Sequence, residues 1–340
     1  MLEATGPFNS AAFCAEAVAP LEGLELKARV AHVARCLRCY LPGAFPAVLN
    51  RLVQSLPPPD PALLGQSWLW PVLQVVEDEG AEFPEASLAA LVPLTSRFSG
   101  EFAVRPLLAR HPGLAYRTLL AWTAHPDAHV RRLASEGSRP RLPWGLRLRG
   151  AVADPGSGLR ILDALVDDPS EYVRRSVANH LGDVAKDHPA RAVALASAWM
   201  RERPDRRALV RHALRGPLKS GNTDALALLG NSVGAVAVES LTVTPNPARV
   251  GDHVTVSATV RGTGRLRVDL VWQWPGARNG WSSRTFVGKE RELADGEAWA
   301  FTGGISLRAV TTRPIRVGVQ RVFLRVAGLT YGPAEFLLKG

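Results

Sequence analysis

Two acids separated by 46 positions, Glu136 and Asp183, lie in segments of similar build. HPDAHVRRLASEG starts at His125 and DPSEYVRRSVANHLGDVAKDH starts at Asp168, 43 residues later. Shifting the first onto the second lays His129, Arg132 and Glu136 over Tyr172, Arg175 and Asn179. At 100° per residue, Val173, Val177, Leu181 and Val184 form an apolar stripe. Tyr172, Arg175, Asn179, Asp183 and Lys186 form another. Glu136 and Asp183 therefore belong to one face of two neighbouring helices, one turn out of step. Paired carboxylates among arginines can stabilise a developing cation and orient or deprotonate a water. The plainer reading of alternating charge on a helix is a solvated surface. Glu136, however, stands at a helix C-terminus just before Gly137, where the dipole disfavours an anion. Either a site or a local arginine salt bridge would account for it.

These helices belong to a repeat. HPGLAYRTLLAW, DPGSGLRILDAL and HPARAVALASAW start at His111, Asp154 and His188. Each is followed by a second helix, starting at His125, Asp168 and Arg203. Two-helix units of this spacing predict a HEAT-like α-solenoid, in which neighbouring units stack to bury a common core and second helices line a concave surface. The first unit is eight or nine residues longer than the second, and the excess, SRPRLPWGL, follows its second helix. An insertion there projects from one edge of the solenoid. It offers Arg139 and Arg141 on a proline-stiffened loop and Trp144, which either anchors the loop or faces the site.

After residue 234 the period changes from helical to two. VESLTVTP, HVTVSATVRG, LRVDLVWQW, RVGVQRVFLRVAG and AEFLLK alternate and are rich in valine, predicting an immunoglobulin-like β-sandwich. The expected organisation is a helical domain over 1–230 and a sandwich over 235–340. In PGARNGWSSRTF the Asn-Gly pair predicts a tight hairpin turn flanked by Arg278, Trp281 and Arg284.

The chain of 340 residues carries a net charge of +10, concentrated between 101 and 150. That field suits a polyanionic partner. Cys14, Cys36 and Cys39 all precede residue 40, which argues against a disulfide framework and points to a reducing cytoplasm. His32 with the Cys36–Cys39 pair falls short of four metal ligands, so no metal and no cofactor is expected. MLEATGPFNSAAF has an acid where a secretory leader would be basic, and no run of 18 apolar residues suggests a membrane span.

Three motifs, SGEFAVRP at 99–106, SEGSRPRLPW at 135–144 and YVRRSVANHLGDVAKDHP at 172–189, resemble the AlkC branch of the AlkC/AlkD family of bacterial alkylbase DNA glycosylases. Some AlkC relatives carry a C-terminal immunoglobulin-like domain, which VDLVWQW, ARNGWSSRTF and TTRP resemble. The resemblance implies a solenoid that cradles duplex DNA. It also implies hydrolysis of the N-glycosidic bond of cationic N-alkylated bases of the 3-methyladenine or 3-methylcytosine type, without a deep base-flipping pocket. It places Glu101, Glu136, Trp144 and Asp183 in the active site. Gly182 departs from the asparagine more common before that aspartate. For DNA binding the expected set is Arg131, Arg132, Arg139, Arg141, Arg174, Arg175, Asn179, Lys186, Arg211, Arg278 and Arg284. A monomer acting in the bacterial cytoplasm, at the nucleoid, goes with this reading. Two alternatives stay open: a non-catalytic HEAT-repeat scaffold, and a DNA-damage-binding protein that has lost catalysis.

Overall fold

The computed structural model describes residues 2–59, 66–276, 280–309 and 316–340. Backbone contacts divide the chain into two compact units, Met1–His188 and Pro189–Gly340.

The first unit is helical: α1 (Ser10–Val18), α2 (Leu26–Tyr40), α3 (Phe45–Gln54), α4 (Trp70–Glu79), α5 (Pro84–Thr95), α6 (Val104–Arg110), α7 (Pro112–Trp122), α8 (Ala128–Gly137), α9 (Arg149–Ala153), α10 (Gly156–Leu165) and α11 (Glu171–Asp187). Proline stands in the first turn of α3, α4, α5 and α7, where its missing N–H costs nothing. Within PALLGQSWLWPVLQVVEDEG, which reads as one helix, α4 begins at Trp70, because Pro71 fits a helix start and not an interior; residues 61–65 lie outside the described ones.

The repeat appears as expected. α7 pairs with α8, α10 pairs with α11, and α10 and α11 both pack on α8. Val130, Leu133, Ile161, Leu162, Val173, Val177 and Leu181 are fully buried between them. Helix α11 runs unbroken through Gly182. The insertion after α8 forms a loop that ends in the short α9.

An arginine device recurs in the first two units of the repeat. Arg131 donates to the carbonyls of His125 and Pro126 in the turn before α8, at 2.9 and 2.8 Å. Arg174 does the same to Asp168 and Pro169 before α11, at 2.6 and 3.0 Å. Arg131 also grips the Asp168 carboxylate with two nitrogens, at 2.6 and 3.0 Å, tying α8 to the next turn.

The second unit holds α12 (Pro189–Glu202), α13 (Arg207–Ala213), α14 (Arg215–Ser220) and α15 (Thr223–Leu228) together with eight strands. One sheet orders β1 (Ala237–Thr244), β3 (His253–Arg261) and β6 (Ala298–Ser306). The other orders β2 (Ala248–Arg249), β8 (Leu329–Lys339), β7 (Gly318–Val326), β4 (Gly264–Pro275) and β5 (Trp281–Leu293). All pairings are antiparallel except β2 with β8. Val254, Val256, Trp272, Phe301, Leu324 and Phe336 fill the core between the sheets. The indole N–H of Trp272 donates to Gln320 at 3.0 Å.

Helix gives way to strand between Leu228 and Ala237, yet the four helices before that change belong to the same compact unit as the sandwich. Arg211 of α13 meets Glu290 of β5 at 2.8 Å. Arg325 of β7 donates to the carbonyl of Lys219 in α14. No helix among the described residues is long and apolar enough to cross a membrane, and no metal-ligand cluster occurs among them.

Candidate active site

Three carboxylates and three cations alternate in one connected row on the first unit. Glu101, in the turn before α6, accepts from Ser99 Oγ at 2.9 Å and from Arg132 Nη1 at 2.6 Å. Arg132, one turn before Glu136 on α8, brings Nη2 to 3.6 Å from Glu136 Oε1. Arg139, from the loop after α8, donates Nη1 to the same oxygen at 2.6 Å and Nε to Asp183 Oδ2 at 2.8 Å. Lys186, one turn after Asp183 on α11, closes the row on Oδ1 at 2.8 Å. The surmised face shared by Glu136 and Asp183 is therefore real, and one guanidinium spans it.

Burial grades along the row. Glu136 and Asp183 are 6% and 3% exposed, whereas the side chain of Lys186 is 58% exposed. Burial by itself would raise the Glu136 carboxyl, but Arg132, Arg139 and the Ser176 hydroxyl outweigh it and hold the group below the usual carboxylate range. Burial likewise works against the charge on Arg139, and Glu136 with Asp183 more than restores it. The awkward position of Glu136 at a helix end is resolved by these two arginines.

Behind Glu136 lies a polar layer that alternation of charge does not reveal. Ser176 Oγ donates to Glu136 Oε2 at 2.6 Å and lies 3.0 Å from Ser135 Oγ. His180 Nδ1 lies 2.9 Å from the Ser135 carbonyl. Burial pushes the His180 imidazole down to about 4, so it is neutral and its Nδ1–H donates. The signal was present in the sequence as Ser176 and His180 on the apolar side of α11, where polar groups need a partner.

Trp144 does not anchor its loop. It is 72% exposed and adopts φ 64°, the left-handed region uncommon for a bulky residue. Its carbonyl accepts from Lys27 Nζ at 2.5 Å, and that ammonium stands 4.9 Å from the centre of the Phe102 ring, beside Glu101 in sequence.

The expected DNA-binding residues separate into groups. Arg131, Arg132 and Arg139 hold carboxylates within the first unit, and Arg141 grips Asp187 with two nitrogens at 2.7 and 2.5 Å. Arg174 holds the turn before its own helix. Arg175 and Lys186 reach solvent, and Asn179 is half-buried between them on α11. In the second unit Arg211 pairs with Glu290, and Arg284 stacks on Phe286 at 4.9 Å. Trp281 is 43% exposed under the Arg321 guanidinium. β4 and β5 pair as far as Pro275 and Trp281, but Arg278 and Asn279, on which the expected hairpin turn falls, lie outside the described residues.

A cavity of about 840 Å³ opens between α7, α9 and α10, lined by Tyr116, Arg117, Leu146 and Arg149 among others. None of Glu101, Glu136 and Asp183 lines it.

Residues 237–340 match a family described as the C-terminal Ig-like domain of the uncharacterised protein YhaZ. The chain is 34% identical to the uncharacterized protein YhaZ of Bacillus subtilis (strain 168) over 264 residues, 77% of this chain and 74% of that protein. It is also similar to the solved structure of the Pseudomonas fluorescens alkylpurine DNA glycosylase AlkC bound to DNA containing an abasic site analog. The identity there is 35%, the TM-score 0.86, and the match covers 100% of this chain and 95% of that one. With a likeness that runs the full length and the three motif segments gathered around one row of acids, the chain belongs to the AlkC family.

Proposed function

We propose that this protein is a DNA glycosylase that releases cationic N-alkylated bases, of the 3-methyladenine or 3-methylcytosine type, from duplex DNA as the first step of base excision repair. The observation that carries this reading is the row in which Arg139 holds the buried carboxylates of Glu136 and Asp183 together. A base alkylated at a ring nitrogen already bears a positive charge, so it leaves as a neutral molecule and needs no strong acid. As the N-glycosidic bond breaks, positive charge passes to the deoxyribose. Fixed carboxylates stabilise that charge, and one accepts a proton from the water that attacks C1′. Asp183 suits this role, because the exposed Lys186 on its Oδ1 is the partner that a phosphate or water can displace. Glu136, gripped on both oxygens, serves as fixed field. The exposed ring of Trp144 offers its face to the same charge.

A row of carboxylates away from the cavity suits a base that stays stacked while its sugar is attacked, as opposed to one flipped into a pocket. Phosphate contacts fall to Arg175, Asn179 and Lys186, with Arg174 near them, and to Arg278 and Arg284. Arg131, Arg139 and Arg141 serve mainly the protein's own carboxylates. The site is complete within one chain, which suits a monomer, and its substrate places it at the bacterial nucleoid in the cytoplasm.

The test is release of free base from randomly methylated duplex DNA, with wild type beside Glu136→Gln. Release by wild type and its loss in the variant support the reading. Tight binding to methylated duplex without release would leave a damage-binding protein, and neither binding nor release would leave a scaffold.

A further inference from the structure

SGEFAVRP contains a second charged residue besides Glu101, and the row of acids does not use it. Arg105, on α6, is completely buried, and no carboxylate among the described residues pairs with it. Its Nε donates to the Leu146 carbonyl at 2.5 Å and its Nη1 to the Gly137 carbonyl at 2.7 Å. Nη2 is buried with no hydrogen-bond partner. A buried cation with a donor left over is an expensive arrangement, and a fold has cheaper ways to fill that volume.

The two carbonyls it holds bracket one segment. Gly137 ends α8 directly after Glu136, and Leu146 closes the insertion. Between them lie Arg139, which spans the two acids, and Trp144. Both ends also press closely on α6. A Cβ on Gly137 would meet Val104 Cγ1 at 2.5 Å, and one on Gly145 would meet Arg105 Cδ at 3.1 Å. Lys27 pins the Trp144 carbonyl from outside. Burial lowers the guanidinium to about 10, still charged at neutral pH, and Asp183 and Glu101 favour that charge from a distance.

We infer that Arg105 is a positioning residue for base excision: one guanidinium clamps both ends of the loop from Gly137 to Leu146, and so fixes where Arg139 and Trp144 stand relative to the carboxylates. The inference rests on the glycosylase reading for its catalytic consequence, but not for the clamp itself. Lysine has a single head and can reach one carbonyl at a time; methionine reaches neither.

The experiment takes the full chain with Arg105→Met, Arg105→Lys, Trp144→Ala and the double variant Arg105→Met/Trp144→Ala. Single-turnover release of 3-methyladenine from methylated duplex is followed beside hydrogen exchange of amides 138–147. Arg105→Met is expected to lower the rate constant between about 10- and 100-fold, the scale of a group displaced by an ångström. Duplex affinity should change less than about twofold, and Arg105→Lys should fall between Met and wild type. Damage to folding alone would lower the amplitude of the reaction and leave its rate constant intact. In the Trp144→Ala background the effect of Arg105→Met should shrink to less than about threefold, because both act through one loop. Amides 138–147 should exchange faster in Arg105→Met. If that variant does not fold, Arg105→Lys carries the same measurements. Wild-type rate constants in both variants, fully multiplicative effects with Trp144→Ala, or unchanged exchange would each overturn the inference. If wild type releases no base while exchange rises as expected, the glycosylase reading fails and the clamp stands.

Discussion

Arg139 Nε donates to Asp183 Oδ2 at 2.8 Å while Nη1 of the same guanidinium holds Glu136 at 2.6 Å. One guanidinium thereby joins two buried acids from helices one repeat apart. Removing either acid leaves the arginine its other partner. Removing the arginine leaves two buried negative charges facing each other.

Asp183→Asn keeps the shape of the site and removes its displaceable charge. Base excision is expected to fall by about 3–4 kcal/mol of transition-state stabilisation, the usual scale for a central electrostatic group. Duplex affinity should stay unchanged or tighten, since a negative charge near phosphates is lost. Single-turnover rates beside equilibrium binding check this, and a wild-type rate in the Asn variant would remove Asp183 from the chemistry.

Arg139→Met is expected to cost about 3 kcal/mol of folding stability, because it removes the one cation shared by two buried carboxylates and leaves Glu136 with Arg132 and Ser176 and Asp183 with the exposed Lys186. The native carboxyl of Glu136 lies below its unfolded value. Its contribution is therefore complete above about pH 4.3 and is lost as pH falls through the lowered native value. Without Arg139 that loss begins at higher pH, so the midpoint of acid unfolding should rise. Urea melts between pH 3 and 7 measure both effects.

His180 gives a separate window. Burial keeps it neutral in the fold, with its value lowered from 6.5 to about 4. The unfolded chain binds a proton first as pH falls, so stability is complete above 6.5 and should drop by about 3 kcal/mol by pH 4. His180→Gln, which can still donate toward the Ser135 carbonyl, should flatten that slope. An unchanged slope between pH 6.5 and 4 would assign it to other groups.

Among the cations, Arg175 and Lys186 are expected to differ from Arg131 and Arg141. Replacing Arg175 and Lys186 by alanine should weaken damaged and undamaged duplex alike and flatten the salt dependence by roughly one counterion per contact. Replacing Arg131 should lower thermal stability and leave the salt slope alone. Titrations from low to moderate salt separate the two classes.

In the second unit, a cut at residue 234 would strip α12–α15 of Glu290 and Arg325, whereas residues 189–340 keep them. The fragment 189–340 is expected to unfold in one cooperative step by circular dichroism. Gly221→Ala should destabilise it by more than about 1 kcal/mol, since φ there is 79° and a Cβ would meet Arg325 Cδ at 2.6 Å. Two separate transitions would show that these helices are independent of the sandwich.

The helix pairs were legible because His-Pro and Asp-Pro turns punctuate an apolar period, and a shift of 43 residues was enough to put Glu136 and Asp183 on one face. The cations were less legible. Arg139 and Arg141 beside prolines look outward in the sequence, but each has a carboxylate within reach that comes from a helix more than 40 residues away. Which partner an arginine takes depends on the path of its loop, and that path is set by Arg105, whose role no period marks. β5, an edge strand exposed along most of its length, escaped for a related reason: with little buried on either face it carries no apolar alternation.

The alternating row has one more consequence. Three acids matched by three bases form a patch with almost no net charge, set in a strongly basic chain. DNA drawn in by the surrounding field meets no repulsive spot at the row proposed for the chemistry. When a phosphate takes Lys186 away, Asp183 is left with an uncompensated oxygen at that moment and no earlier. Arrival of the substrate would thus itself unmask the charge that the reaction needs, and an empty enzyme would keep it covered.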